Sequence, residues 1–158
     1  MNPRQLEQDL QLPNIKASLI AYFDAAQQKK WYIRFFVPGP DARYSPGLAV
    51  VSSSRVDYLV KSLEKAYQKM KVLENEKYTG KYSEDFVLRC EVSDTLSITV
   101  SSEESQFLFW SFKNVRLHLY VSNKTNTFKT SFNSDDSRTI INILSSAENL
   151  ANQLISQL

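Results

Sequence analysis

The chain has 158 residues, 42% hydrophobic and 23% charged, with three Gly, five Pro, one Cys and one His. A chain of this length buries roughly 68 to 70% of its unfolded surface, so a single domain over 1–158 is expected, and disordered, collagen-like and disulfide-stapled classes are excluded. The net charge of +2 is too small to indicate a partner.

The charges are nevertheless segregated. Residues 29–82 carry eleven Lys/Arg against five Asp/Glu, residues 83–112 carry one against six, and residues 113–133 carry four against none. Two basic regions therefore flank an acidic one. The opening MNPRQLEQDLQLPN has no apolar leader pattern, and no window approaches the roughly 18 apolar residues of a membrane span. A cytoplasmic protein with no membrane segment is expected.

In chain order, Asn2 and Pro3 suit the cap and first position of a short helix. The apolar positions Leu12, Ile15, Leu19, Tyr22, Phe23 and Ala26 then fit one face of a helix over 13–28. KWYIRFFV at 30–37 reads as a strand, PGPDARYSPG as a loop and GLAVV as a second strand. Ser54, three residues before Asp57, makes a capping pair for a helix whose core face is Val56, Leu59, Leu63, Tyr67, Met70 and Leu73.

Beyond the breaker segment 74–83 the period becomes two, with Phe86, Leu88, Cys90 and Val92 and then Leu96, Ile98 and Val100. Strands near 107–113, 115–121 and 126–132 follow across short polar connections, and a helix from about 135 to 157 closes the chain. The fold class is therefore α+β: an antiparallel meander sheet of about five to seven strands with an N-terminal helix, a central helix and a long C-terminal helix. A helix follows a run of strands twice.

Three glycines cannot assemble a dinucleotide turn or a phosphate loop, and one His with one Cys cannot supply a structural zinc site. No metal, no cofactor and no enzyme activity are expected. Cys90 and His118 fall on opposite alternations and so cannot act together, leaving Cys90 a buried core thiol. The adjacent carboxylates Glu103/Glu104 and Asp135/Asp136 suit a turn and a helix N-terminus better than acid–base chemistry.

The positive signal lies in strands that interleave aromatic and basic residues. Tyr32, Arg34 and Phe36 share one alternation, as do Arg116, His118 and Tyr120. With Lys113, Lys124 and Lys129, and with Arg43 and Tyr44 in the loop, they make a surface suited to stacking unpaired bases above a cationic track. The expected partner is single-stranded nucleic acid. The alternative is a protein-interaction adaptor using the 38–46 loop or the C-terminal helix, where Leu144, Ala147, Ala151, Leu154 and Leu158 could form a homo-oligomer or partner seam.

Overall fold

The computed structural model describes residues 4–76 and 84–158, the side chains at 84–87, 105–107 and 111 excepted. The first half of the chain forms strands β1 (Gln5–Asp9), β2 (Lys16–Phe23), β3 (Lys29–Val37) and β4 (Gly47–Ser52) and then helix α1 (Ser53–Asn75). The second half forms β5 (Glu84–Ser93), β6 (Leu96–Phe107), β7 (Trp110–Ser122) and β8 (Thr127–Phe132), followed by α2 (Ser134–Ser145) and α3 (Ala147–Ile155). Each set of strands is a four-stranded antiparallel sheet in sequence order. The class is thus α+β with antiparallel sheets, as expected, but there are two sheets where a single sheet was anticipated.

The expected N-terminal helix over 13–28 is β2 and its flanking turns. Its apolar positions also satisfy a period of two: Ala17, Leu19 and Ala21 face the core, and Ser18, Ile20 and Tyr22 the other side. The turn to β3 hid among helix-forming residues because it contains no Gly or Pro. Asp24 makes it instead, its carboxylate accepting hydrogen bonds from the backbone N–H groups of Ala26 and Gln28, both at 2.9 Å. The short helix expected over the first residues is replaced by β1, and its cap at Asn2 and Pro3 lies outside the described residues.

The backbone N–H of Gln28, and Lys30 beside it, hold the Asp24 carboxyl below its ordinary value of 3.8. A depressed folded-state value means that the turn's contribution to stability is complete above the ordinary value and is lost as pH falls through the folded one. Acid unfolding of Asp24→Asn is therefore expected to lack this component. Superimposable acid titrations of variant and wild type would contradict the assignment.

The two halves share their register. Val51 pairs with Ile33 just before α1, and Phe132 pairs with Leu117 just before α2. Counting from those pairs, Ile33, Phe35 and Val37 of β3 correspond to Leu117, Leu119 and Val121 of β7, all packed in or against the core. Tyr32, Arg34 and Phe36 correspond to Arg116, His118 and Tyr120 on the opposite side.

Helix α1 buries Val56, Leu59, Leu63, Ala66, Met70 and Leu73, a 3–4 spacing that places one face against both sheets. The single C-terminal helix that was expected is broken at Ser146, which caps both pieces. Asn133 starts α2, its side chain accepting from the backbone N–H of Asp136 at 2.8 Å. The inner faces of both sheets and all three helices contribute to one continuous buried cluster.

The expected break at Lys113–Asn114 does not occur. β6 and β7 pair without interruption from Leu96↔Val121 to Phe107↔Trp110, and the chain reverses at Leu108, whose φ is 55°. The region 84–132 therefore holds four strands rather than five. Its tip is apolar and open, with Phe109 99% exposed beside exposed Leu108, Trp110 and Phe112. Cys90, expected to be fully buried, is half-buried against the core cluster. No helix among the described residues is long and apolar enough to cross a membrane.

Candidate functional site

The helices gather against the inner faces, and the outer faces of the sheets carry side chains turned away from them, some exposed, such as Leu48, Val50 and Lys129, and some buried under their neighbours, such as Ser18, Ile20, Thr99 and His118. On the first sheet, Tyr32 stands between Ile20 and Ser52, Arg34 between Ser18 and Val50, and Phe36 between Lys16 and Leu48. Tyr22 meets Tyr32 edge to face, with ring centroids 5.5 Å apart and planes at 64°. Leu48 is 44% and Val50 49% exposed, so β4 lines this surface with uncovered apolar groups. Lys16, Ser18, Arg34, Phe36 and Leu48 enclose a shallow cleft of about 320 Å³.

The Arg34 guanidinium is paired with the Glu7 carboxylate of β1. That contact fixes the direction of the side chain and offsets much of its charge, so Arg34 borders the cleft as an oriented planar donor more than as a bare cation.

On the second sheet, Arg116, His118 and Tyr120 share the outer alternation of β7, with Lys129 of β8 opposite Tyr120. His118 is only 3% exposed. Its ring nitrogens lie 2.6 Å from the hydroxyls of Ser101 and Ser131, on the strands either side. The imidazole thus ties β6, β7 and β8 together beneath the surface, and Arg116, Tyr120 and Lys129 are left as the outward groups of the nominated set. Among the described residues, no carboxylate comes within 4 Å of Arg116 or Lys129. A larger cleft, about 900 Å³, opens on this face between Arg89 and Glu91 of β5, Thr99 of β6 and Tyr120 of β7.

The remaining nominated residues are dispersed. Lys113 faces away from Arg116: its ammonium donates to the Glu76 carbonyl at the end of α1 and lies 3.9 Å from Glu104. Arg43 grips Asp41, donating from its guanidinium at 2.7 and 3.1 Å, and that contact holds the Asp41 carboxyl below and the Arg43 guanidinium above their ordinary values. Tyr44 stacks loosely beneath Arg43, 5.9 Å from ring centroid to guanidinium carbon.

Lys124 is exposed on the β7–β8 turn. Asn123 in the same turn donates to the Ser45 and Pro46 carbonyls at 2.7 and 3.3 Å, so the loop with Arg43 and Tyr44 is pinned beside Lys124. The positions nominated as a seam, Leu144, Ala147, Ala151, Leu154 and Leu158, are all buried in the chain's own core.

Sequence reasoning passed over Thr99, Lys16 and Leu48. The first is one of several hydroxyls on the polar alternation of SITVSS, and nothing in that pattern separates a solvated Ser or Thr from one lining a cleft. Among the described residues no cluster of His, Cys, Asp and Glu could hold a metal ion.

The structure is a two-sheet α+β fold that carries aromatic and cationic groups on strand surfaces turned away from its helices. No protein-family model matches the sequence, and no curated protein aligns with it. The functional reading therefore rests on the geometry.

Proposed function

We propose that this protein binds single-stranded nucleic acid on the outer faces of its two sheets, without catalysis. The observation that carries this reading is the repeated outer alternation: Tyr32, Arg34 and Phe36 on one sheet and Arg116 and Tyr120 on the other, each opposite core residues and away from the helices. Base stacking on aromatic side chains is tolerant of sequence and requires unpaired bases, while Arg and Lys supply the phosphate contacts. Lys129 beside Tyr120, and Lys16 beside Phe36, place a cation next to a ring on each sheet.

Phosphate contacts release counterions, so affinity falls as salt rises, by about one unit of log–log slope per contact. Lys129→Ala and Arg116→Ala are each expected to flatten that slope by about one unit. Titrating a labelled single-stranded oligonucleotide at several salt concentrations measures it, and unchanged slopes in both variants would count against the reading.

A second reading, a protein-interaction adaptor, draws support from the exposed tip at Leu108, Phe109, Trp110 and Phe112. An apolar contact of that kind would show little salt dependence, so the same titrations separate the two.

A further inference from the structure

The two outer faces differ in how their cations are held. Arg116 and Lys129 of the second face have no carboxylate within 4 Å among the described residues. On the first face two cations, Lys16 and Arg34, line the cleft, and Arg34 is already paired with Glu7 of β1.

Register brings that acid to the face. Glu7 pairs with Ile20, which pairs with Tyr32, while Asp9 pairs with Ser18, which pairs with Arg34. Residues paired across antiparallel strands turn to the same side of a sheet, so Gln5, Glu7 and Asp9 line the edge of the outer face beside Tyr32 and Arg34. The Asp9 carboxylate accepts the backbone N–H of Gln11 at 2.7 Å, and Glu7 is the acid that reaches the guanidinium.

The contact is incomplete and readily opened. Arg43 engages Asp41 through both Nε and Nη2, whereas Arg34 donates to Glu7 from Nη2 alone, and its other donors make no hydrogen bond to a described residue. The Arg34 and Glu7 side chains are 31% and 43% exposed, and an ion pair so open to water adds little to stability. β1 is an edge strand paired only with β2, with four of its five residues exposed, so the Glu7 side chain can turn away without disturbing the core.

A carboxylate offers a guanidinium the same pair of anionic oxygens that a phosphodiester does. We propose that Glu7 is a built-in competitor for the strand: its carboxylate takes the place on Arg34 that a backbone phosphate occupies in the complex, so Arg34 contacts nucleic acid only when Glu7 is displaced. The inference rests on the single-strand reading above and concerns the regulation of the first face.

Glu7→Gln keeps the side-chain length and removes the charge. Affinity for a fluorescein-labelled oligothymidylate of about 16 nucleotides is expected to rise about five-fold in low salt, and the log–log salt slope to steepen by about 0.7 to 1 unit, as one further phosphate contact forms. In an Arg34→Met background the same substitution should leave both quantities nearly unchanged. Denaturation midpoints of the single and double variants are expected to stay close to that of wild type, because both side chains are partly exposed.

Affinity in Glu7→Gln equal to or below that of wild type overturns the competitor while leaving single-strand binding intact, since Glu7 would then only orient Arg34. An undiminished gain in the Arg34→Met background also overturns it, because Glu7 would then act as a general repulsive charge. So does a markedly lower midpoint in Glu7→Gln, which would make the pair a structural contact. No binding by either wild type or Glu7→Gln removes the single-strand reading and the competitor together.

Discussion

Truncating Phe35 to alanine is expected to lower the unfolding free energy by about 3 to 5 kcal/mol, a large fraction of the total stability of a domain this size. Phe35 is fully buried on β3, flanked in register by Ala17 and Ala49. Those small neighbours cannot expand to fill the space a phenyl ring leaves, so the variant keeps a cavity and loses the transfer free energy as well. Phe132, equally buried on β8 opposite Leu117, gives the matching experiment in the second half, Phe132→Ala.

Because both rings belong to one continuous cluster, each truncation should shift a single cooperative denaturation transition. Two separate transitions, with only one displaced by each substitution, would show that the halves fold independently. A change well under 1 kcal/mol in either variant would show that the site collapses freely, contrary to the packing described.

Removing the rings Phe36 and Tyr120 together is expected to weaken binding of a single-stranded oligonucleotide by about 2 to 6 kcal/mol, since each stacked base contributes about 1 to 3 kcal/mol and the two rings lie on different sheets. Both side chains are on the outer faces, away from the buried cluster, so their loss should leave the denaturation midpoint close to that of wild type. Fluorescence anisotropy of Phe36→Ala, Tyr120→Ala and the double variant measures the effect. Single losses that add in the double variant indicate that one strand engages both faces. A double variant that binds like wild type would remove stacking from the account.

The parts of the fold legible in the sequence were those where one period had no competitor. The stripe Val56, Leu59, Leu63, Met70 and Leu73 fits only a helix, and it forms the buried face of α1. Over 16–23 two periods competed: Leu19 and Phe23 suit a helical face, but pairing with β3 on one side and β1 on the other fixes a strand. That pairing is nonlocal, and the turn enabling it depends on one carboxylate, Asp24, set among Ala and Gln. The hairpin tip was misplaced for a related reason. Lys113–Asn114 has turn chemistry, whereas the actual reversal uses Leu108 in a left-handed conformation that its residue type does not favour.

The alternation rule placed Tyr32, Arg34, Phe36, Arg116 and Tyr120 on strand faces opposite the core, because period two in a paired strand fixes direction whichever sheet the strand joins. The same rule put His118 on that face but could not foresee its burial, which depends on Ser101 and Ser131 arriving from neighbouring strands. Lys113 and Arg43 were nominated for their charge, which alternation does not assess: the Lys113 ammonium is drawn to the carbonyl end of α1, and the Arg43 guanidinium is matched two residues away by Asp41. The C-terminal stripe from Leu144 to Leu158 was wide because two packed helices, not one, bury it in the domain's own core.

Titration of wild-type protein against single-stranded and duplex oligonucleotides of the same mixed sequence, by anisotropy at low and at moderate salt, tests the central claim most directly. The account predicts micromolar or tighter binding of the single strand in low salt, weaker binding of the duplex, and affinity that falls steeply as salt rises. Absence of single-strand binding at micromolar protein in low salt would contradict it.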